Sequence, residues 1–310
     1  MPTIDLTDAE SGAHLWADRF EEDIADLFKL QDQVVARLAN ALGHELMRAE
    51  AARGVRSKDP DTMDLTMRGR ALLARLPPTR DDNEAARALF EQALKVYPED
   101  PDALAGSAAT YASDFRFGWR SSEIDFEAKI IGQADRAISL APNATSAFLA
   151  KASYFNNSHR WNEALSVTNA GLAVNPNLAA LYAERGVAED SLGRFDQAKT
   201  DLELAMRLIP RDPGISFWHV QLGDVSLNLG QFDVGIDEYL DAIDAGFRTW
   251  IPYGNLAAVY ALQGKKEQSQ AELAEALRLK PDLTVKWFVA HTPNLPKNVE
   301  GLRKAGLPEE

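Results

Sequence analysis

The 310-residue chain contains no cysteine. Disulfides, zinc–thiolate centres and thiol nucleophiles are therefore excluded, while the redox state of its compartment is left open. Positive charge is scarce: 33 Lys and Arg stand against 47 Asp and Glu, for a formal net charge of −14. Generic binding to nucleic acid or to an anionic membrane requires a basic face, so neither is expected as a partner. No apolar run approaches the roughly 18 residues of a membrane helix. The opening MPTIDLTDAE has neither the basic nor the apolar segment of a secretory signal. A cytoplasmic location without membrane insertion is the expectation.

Catalytic motifs are equally scarce. Gly264 and Lys265 lack the glycine five residues upstream and the following Ser or Thr that a phosphate loop needs. Neither G-x-S-x-G nor H-E-x-x-H occurs, and His14, His44, His159, His219 and His291 are scattered. The acidic pairs Glu21–Glu22, Asp81–Asp82 and Glu189–Asp190 read as solvated helix faces or first turns, where the helix dipole favours them. No enzymatic activity, metal or cofactor is expected.

What the chain does have is a repeat. Ala198, Leu202, Ala205 and Pro210 stand at offsets that recur as Ala86, Phe90, Ala93, Pro98 and as Ala164, Thr168, Gly171, Pro176. They recur again as Ser269, Leu273, Ala276, Pro281, more weakly as Ile130, Ala134, Ala137, Pro142, and as Gly235, Tyr239, Ala242 with Phe247 in the proline's place. The preceding segments repeat too: Gly186, Gly223 and Ala257 follow at intervals of 37 and 34 residues. Each unit reads as two antiparallel helices. Small residues let the backbones approach, Tyr182 and Leu202 fill the space between units, a glycine such as Gly193 ends the first helix, and a proline stops the second. No single pair can bury its apolar face, so the pairs must stack.

These spacings resemble the tetratricopeptide repeat, whose period is about 34 residues. The resemblance implies an all-α solenoid, a right-handed superhelix of helix pairs. About six units span 61–283, with a C-terminal cap over 284–310 that carries one short helix around Asn298–Ala305. Ahead of them, TIDLTDAESGAHLWADRF reads as a β-hairpin over residues 1–20. Ile24, Leu27, Phe28, Val34, Val35, Leu38 and Leu42 put one apolar face on a long helix within 21–60.

Two positions invite a partner. The inner groove of such an array is lined by the first helices, and register places Ser153, Asn156, Val187, Asp190, Phe217, Val220, Asp224, Leu227 and Ile251 there. Family members that clamp a peptide carboxylate use Lys, Arg and Asn, whereas the matching positions here hold Ser153, Val187, Asp224 and Ala258. A neutral or basic segment with apolar anchors is the expected protein or peptide ligand; the alternative is that the groove is filled by the chain's own tail or by a second copy. The second position is an insertion, SDFRFGWRSSEIDF, read as a long loop. Phe115, Phe117 and Trp119 would there form a hot spot with Arg116 and Arg120 between them, or fold back as core.

The run GAHLWADRFEEDIADLFKLQDQVV and the ending GLRKAGLPE resemble a class of bacterial multidomain proteins. In these a class III adenylate/guanylate cyclase or DNA-binding domain precedes a domain like the N-terminal domain of TolB and terminal tetratricopeptide repeats. The resemblance implies a regulatory arm whose hairpin is the remnant of an upstream α/β domain. Three roles stay open: a protein-binding scaffold, an oligomerisation module pairing through residues 1–55 as a homodimer, and a small-ligand sensor.

Overall fold

The computed structural model describes residues 3–7, 14–19, 61–75, 79–120, 124–209, 214–292 and 295–310. The long helix expected within 21–60 lies outside the described residues. Strands β1 (Thr3–Thr7) and β2 (His14–Arg19) pair antiparallel, Ile4 opposite Asp18 and Leu6 opposite Trp16.

Fourteen helices follow among the described residues. Twelve form six consecutive pairs. These are α1 (Thr62–Leu73) with α2 (Arg80–Val96), α3 (Pro101–Phe117) with α4 (Phe126–Leu140), and α5 (Thr145–Asn157) with α6 (Trp161–Val174). Then come α7 (Ala179–Ser191) with α8 (Phe195–Leu208), α9 (Ile215–Asn228) with α10 (Phe232–Asp244), and α11 (Trp250–Leu262) with α12 (Lys266–Leu279). Side-chain caps start several of them: Asp61, Thr79, Asp100, Asp125 and Thr249 each accept from a first-turn amide. The first helix of five pairs ends on a left-handed residue: Gly118, His159, Gly193, Gly230 and Gly264, with φ between 61 and 76°. His159 is the one non-glycine among them.

The repeated positions are the core. Ala86, Phe90, Ala93, Ala134, Ala137, Ala164, Thr168, Ala198, Leu202, Ala205, Tyr239, Ala242 and Ala276 are 0 % exposed, and Phe247 is buried where the other units carry proline. Glycines face the large members of this set. A side chain at Gly69 or Gly106 would strike the Phe90 ring, one at Gly171 would strike Leu181, and one at Gly223 would strike Tyr239. Leu227, expected in the groove, is 0 % exposed and packs with Ile236, Tyr239 and Leu256 in this core, because its register turns it toward α10 instead of inward.

The insertion SDFRFGWRSSEIDF is less of a loop than its sequence suggests. Helix α3 runs on to Phe117 and ends at Gly118, so Phe115 and Phe117 belong to its last turn and only Trp119 lies in the loop. Phe115 packs edge-on against Phe126 and Tyr154, and Phe117 stacks on Trp119 at 4.6 Å. The same turn holds a buried charge: Asp114, fully enclosed, accepts from Asn83 at 2.8 Å and Arg87 at 2.5 Å and pairs with Arg120 at 3.1 Å.

The C-terminus holds two helices rather than one, α13 (Val285–His291) and α14 (Pro296–Ala305). Nor does α14 stack on α12 as a seventh repeat would. It lies along α11, with Leu302 fully buried and Gly301 pressed on the backbone of Ala258. The final residues return to α13, where Val285 N–H donates to the Pro308 carbonyl at 2.8 Å. The tail thus crosses the inner face formed by the first helices.

Three stability tests follow from this packing. Gly301→Ala puts a methyl group into the Ala258 backbone, which cannot retreat; a loss of about 1–3 kcal/mol in urea unfolding is expected. Gly132→Ala, inside α4 with open space around it, raises stability by about 0.5–1 kcal/mol in the same assay. Arg87→Met strips the closest cation from buried Asp114 and costs on the order of 3–5 kcal/mol, read as a lowered urea midpoint.

Candidate functional site

Where the tail crosses the inner face lies a partly open pocket of about 60 Å³. Its floor comes from α3, α7, α9 and α11, and its roof is Phe288 and His291 of α13 with Thr292 and Leu295. The roof is pinned at both ends. On one side, a side chain at Gly118 would crowd Trp287, and His159 Nε2 donates to the Thr292 carbonyl at 2.8 Å. On the other, Asn298 of α14 reaches a carboxylate on α9, Asp224. The walls are largely apolar and aromatic: Val187, Phe217, Val220, Trp250 and Ile251.

Two carboxylates stand in these walls. Asp224 Oδ1 accepts three donors: the Tyr239 hydroxyl at 2.7 Å, Asn298 Nδ2 at 2.8 Å and Asn255 Nδ2 at 2.9 Å. Asp190 Oδ1 accepts from Asn228 Nδ2 at 2.9 Å. Among the described residues no cation pairs with either. Desolvation pushes both carboxyls up to about 7, although Asn228 and the Tyr239–Asn298 donors pull the other way. Burial also holds Tyr239 well above its ordinary pKa, so its hydroxyl keeps its proton and donates.

One cation lines the cavity. The Arg116 guanidinium sits 4.2 Å over the Phe217 ring. Burial lowers its pKa and the charge of Glu184 raises it; Glu184 is itself raised by burial and accepts from Asn156 at 2.8 Å. Glu189, beside the Arg185–Asp201 pair, is pushed up to about 7, mainly by burial.

Six of the nine groove residues named from sequence meet here: Val187, Asp190, Phe217, Val220, Asp224 and Ile251. Asn156 is consumed by Glu184, Ser153 gives its carbonyl to Asn157, and Leu227 is in the core. Arg116, Gln221, Trp250, Asn255, Phe288 and Asn298 were not anticipated as groove residues. In the sequence Arg116 reads as part of a loop, and the asparagines carry no local signature. For metals, one group among the described residues brings ligand atoms within 4.8 Å: His219, Glu238 and Asp241. His219 Nδ1 lies 2.7 Å from Glu238 Oε2, the geometry of a histidine–carboxylate pair.

Stacked helix pairs with a lined inner face define the chain as a helical-repeat solenoid. The tetratricopeptide repeat family matches at residues 179–212 and 252–283. Those two segments are tetratricopeptide repeats. Its fold is similar to human IFIT1, solved as a dimer with m7Gppp-AAAA, at a TM-score of 0.62 and 18% identity over 83% of this chain and 61% of that one. It is also similar to a tetratricopeptide repeat protein from Parabacteroides merdae, at a TM-score of 0.51 and 15% identity over 89% and 94% of the two chains. At these identities the likeness is one of fold. Among curated proteins it is 30% identical over 135 residues to "Putative adenylate cyclase 3" of Rhizobium meliloti (strain 1021); the match spans 43% of this chain and 23% of that relative. Among the described residues no helix is long and apolar enough to cross a membrane.

The buried carboxylates make stability depend on pH. Between about pH 4 and pH 7 the folded protein keeps protons on Asp190 and Asp224 that the unfolded chain has released, so it binds more protons than the unfolded state. Stability is therefore greatest at the acid end of that window and falls as pH rises through 7, by at most about 4 kcal/mol for each carboxylate. Thermal melts from pH 5 to pH 8 are expected to show a falling Tm, with a flatter slope in Asp224→Asn.

Proposed function

We propose that the chain is a non-catalytic scaffold that binds a protein or peptide on the inner face of its repeats. We further propose that it serves as the regulatory arm of an adenylate cyclase-type signalling protein in the cytoplasm. The observation that carries the first part is α14 itself: a short helix lies on the inner face of α11, so this face accepts a helix. Chemically the lining suits a neutral or basic segment with apolar anchors, since Asp190 and Asp224 oppose further negative charge. Ser153, Asn156, Val187, Phe217, Val220 and Ile251 remain the contact residues of this reading, with Phe115, Phe117 and Trp119 as a second patch; Leu227 is removed from it. The signalling role draws on the relative named as an adenylate cyclase and on the N-terminal run that resembles such proteins. In this reading β1 and β2 are the last strands of a TolB-like α/β domain.

A second role has its own support. A two-stranded sheet offers unpaired edges, and residues 1–55 would then pair two copies. Both roles are tested by capture from the source organism's lysate, using the full chain and residues 61–310, with mass spectrometry of what is held. The scaffold role predicts one partner held by both, weakened at least tenfold by Phe217→Ala. Capture by the full chain alone, above all of itself, transfers the interface to residues 1–55. Retention of nothing specific by either overturns both.

A further inference from the structure

The roofed cavity is rich in acceptors. Asn228 donates to one oxygen of Asp190, and Tyr239, Asn255 and Asn298 all donate to one oxygen of Asp224, so both carboxylates are met by neutral donors only. Two buried amides add further acceptors. Gln221, 6 % exposed, has its Oε1 enclosed and unpartnered; Asn255, fully buried, has spent its Nδ2 on Asp224 and leaves Oδ1 unpartnered. All four residues line this one cavity. The two amide oxygens are costly to bury unmatched, and two carboxylates stand beside them.

What would match them is a group with several donors, no acceptor and a positive charge. A primary ammonium has three N–H donors and no acceptor. Its hydrocarbon part would lie against Phe217, Trp250 and Ile251, where aromatic faces also favour a cation. A bare metal ion gains nothing from these apolar walls. We propose that the cavity binds a small primary ammonium compound, held by Asp190 and Asp224 and capped by the carbonyl oxygens of Gln221 and Asn255.

The geometry sets limits on that ligand. The space, about 60 Å³, admits an ammonium group with only a few further heavy atoms. The residues Phe288, His291, Thr292 and Leu295 partly cover the site. Arg116 is the one opposing charge; it is drawn toward Glu184 and stacked on the outer ring, Phe217. Binding also acts on the tail. A cation beside Asp224 holds that carboxylate charged and strengthens its bond from Asn298, and so favours the closed position of α14. This site stands independently of the protein-binding reading: it needs neither a partner nor a free groove.

The test is a titration of the full chain at pH 8, above the value near which both carboxylates ionise, with ethylammonium chloride as probe. Calorimetry and tryptophan fluorescence report binding, since Trp250 forms a wall and Trp287 packs edge-on against it at 5.4 Å. Saturable one-to-one binding is expected. It is weakened at least tenfold by Asp190→Asn and by Asp224→Asn, while ethanol and potassium chloride produce none. Absence of saturable ethylammonium binding, affinity that both variants leave unchanged, or equal binding of potassium would each overturn the proposal. Asp224→Asn alters a three-donor hub, so its fold is checked by circular dichroism; if it does not fold, Asp190→Asn, whose carboxylate has a single donor, decides alone.

Discussion

The solenoid depends on one contact made over and over: a large side chain entering the gap where a facing helix has no side chain at all. Phe90 occupies the space beside Gly69 and Gly106, and so ties α1, α2 and α3 together with a single ring. Tyr239 does the same at Gly223, Leu202 at Gly186 and Leu181 at Gly171. Close packing makes these contacts all-or-none, since interiors at crystal-like density have no slack for an added methyl group. The pairs cannot stand alone, because each leaves an apolar face that only the next pair covers. The curvature of the inner face is thus set by how closely the backbones approach.

That inner face is where ordinary repeat packing gives way to something particular to this chain. Helix α14 lies along α11 instead of extending the stack, and Gly301 repeats the glycine device at the Ala258 backbone. The result is a roof, with buried carboxylates beneath it. Burial without a paired cation raises both acids, and the chain tolerates this because three neutral donors converge on one of them. Asp114 has the opposite arrangement, with two arginines beside it, and is the better compensated of the buried acids. Asp114 is held by ion pairing, and Asp190 and Asp224 by hydrogen bonds from neutral donors.

Much of this was readable in advance, and the misreadings have a common cause. Ala198, Leu202 and Ala205 announced a buried stripe because their spacing matches a helix turn, and the stripe is buried. Phe115 and Phe117 were assigned to a loop because the insertion was counted from the repeat period; Gly118, the left-handed stop used at Gly193, Gly230 and Gly264, was the local signal that the helix continues. Leu227 was assigned to the groove by extrapolating register, which drifts toward the end of a helix. Of the cavity, sequence register places the floor residues Val187, Asp190, Phe217, Val220, Asp224 and Ile251 on one face, but leaves open whether a partner, a second copy or the chain's own tail covers them.

The sequence by itself determined the helix pairs and their stacking, because every contact that defines a unit joins residues within about one repeat of each other. A period can encode such contacts, and repetition makes them legible. Only the tertiary structure decided the cavity. Its defining bond joins Asn298 to Asp224 across 74 residues, and its far wall brings His159 to Thr292 across 133. No local pattern marks an asparagine as the partner of a distant aspartate. Such a pair exists only once the solenoid has curved enough for its own end to fall back across the inner face.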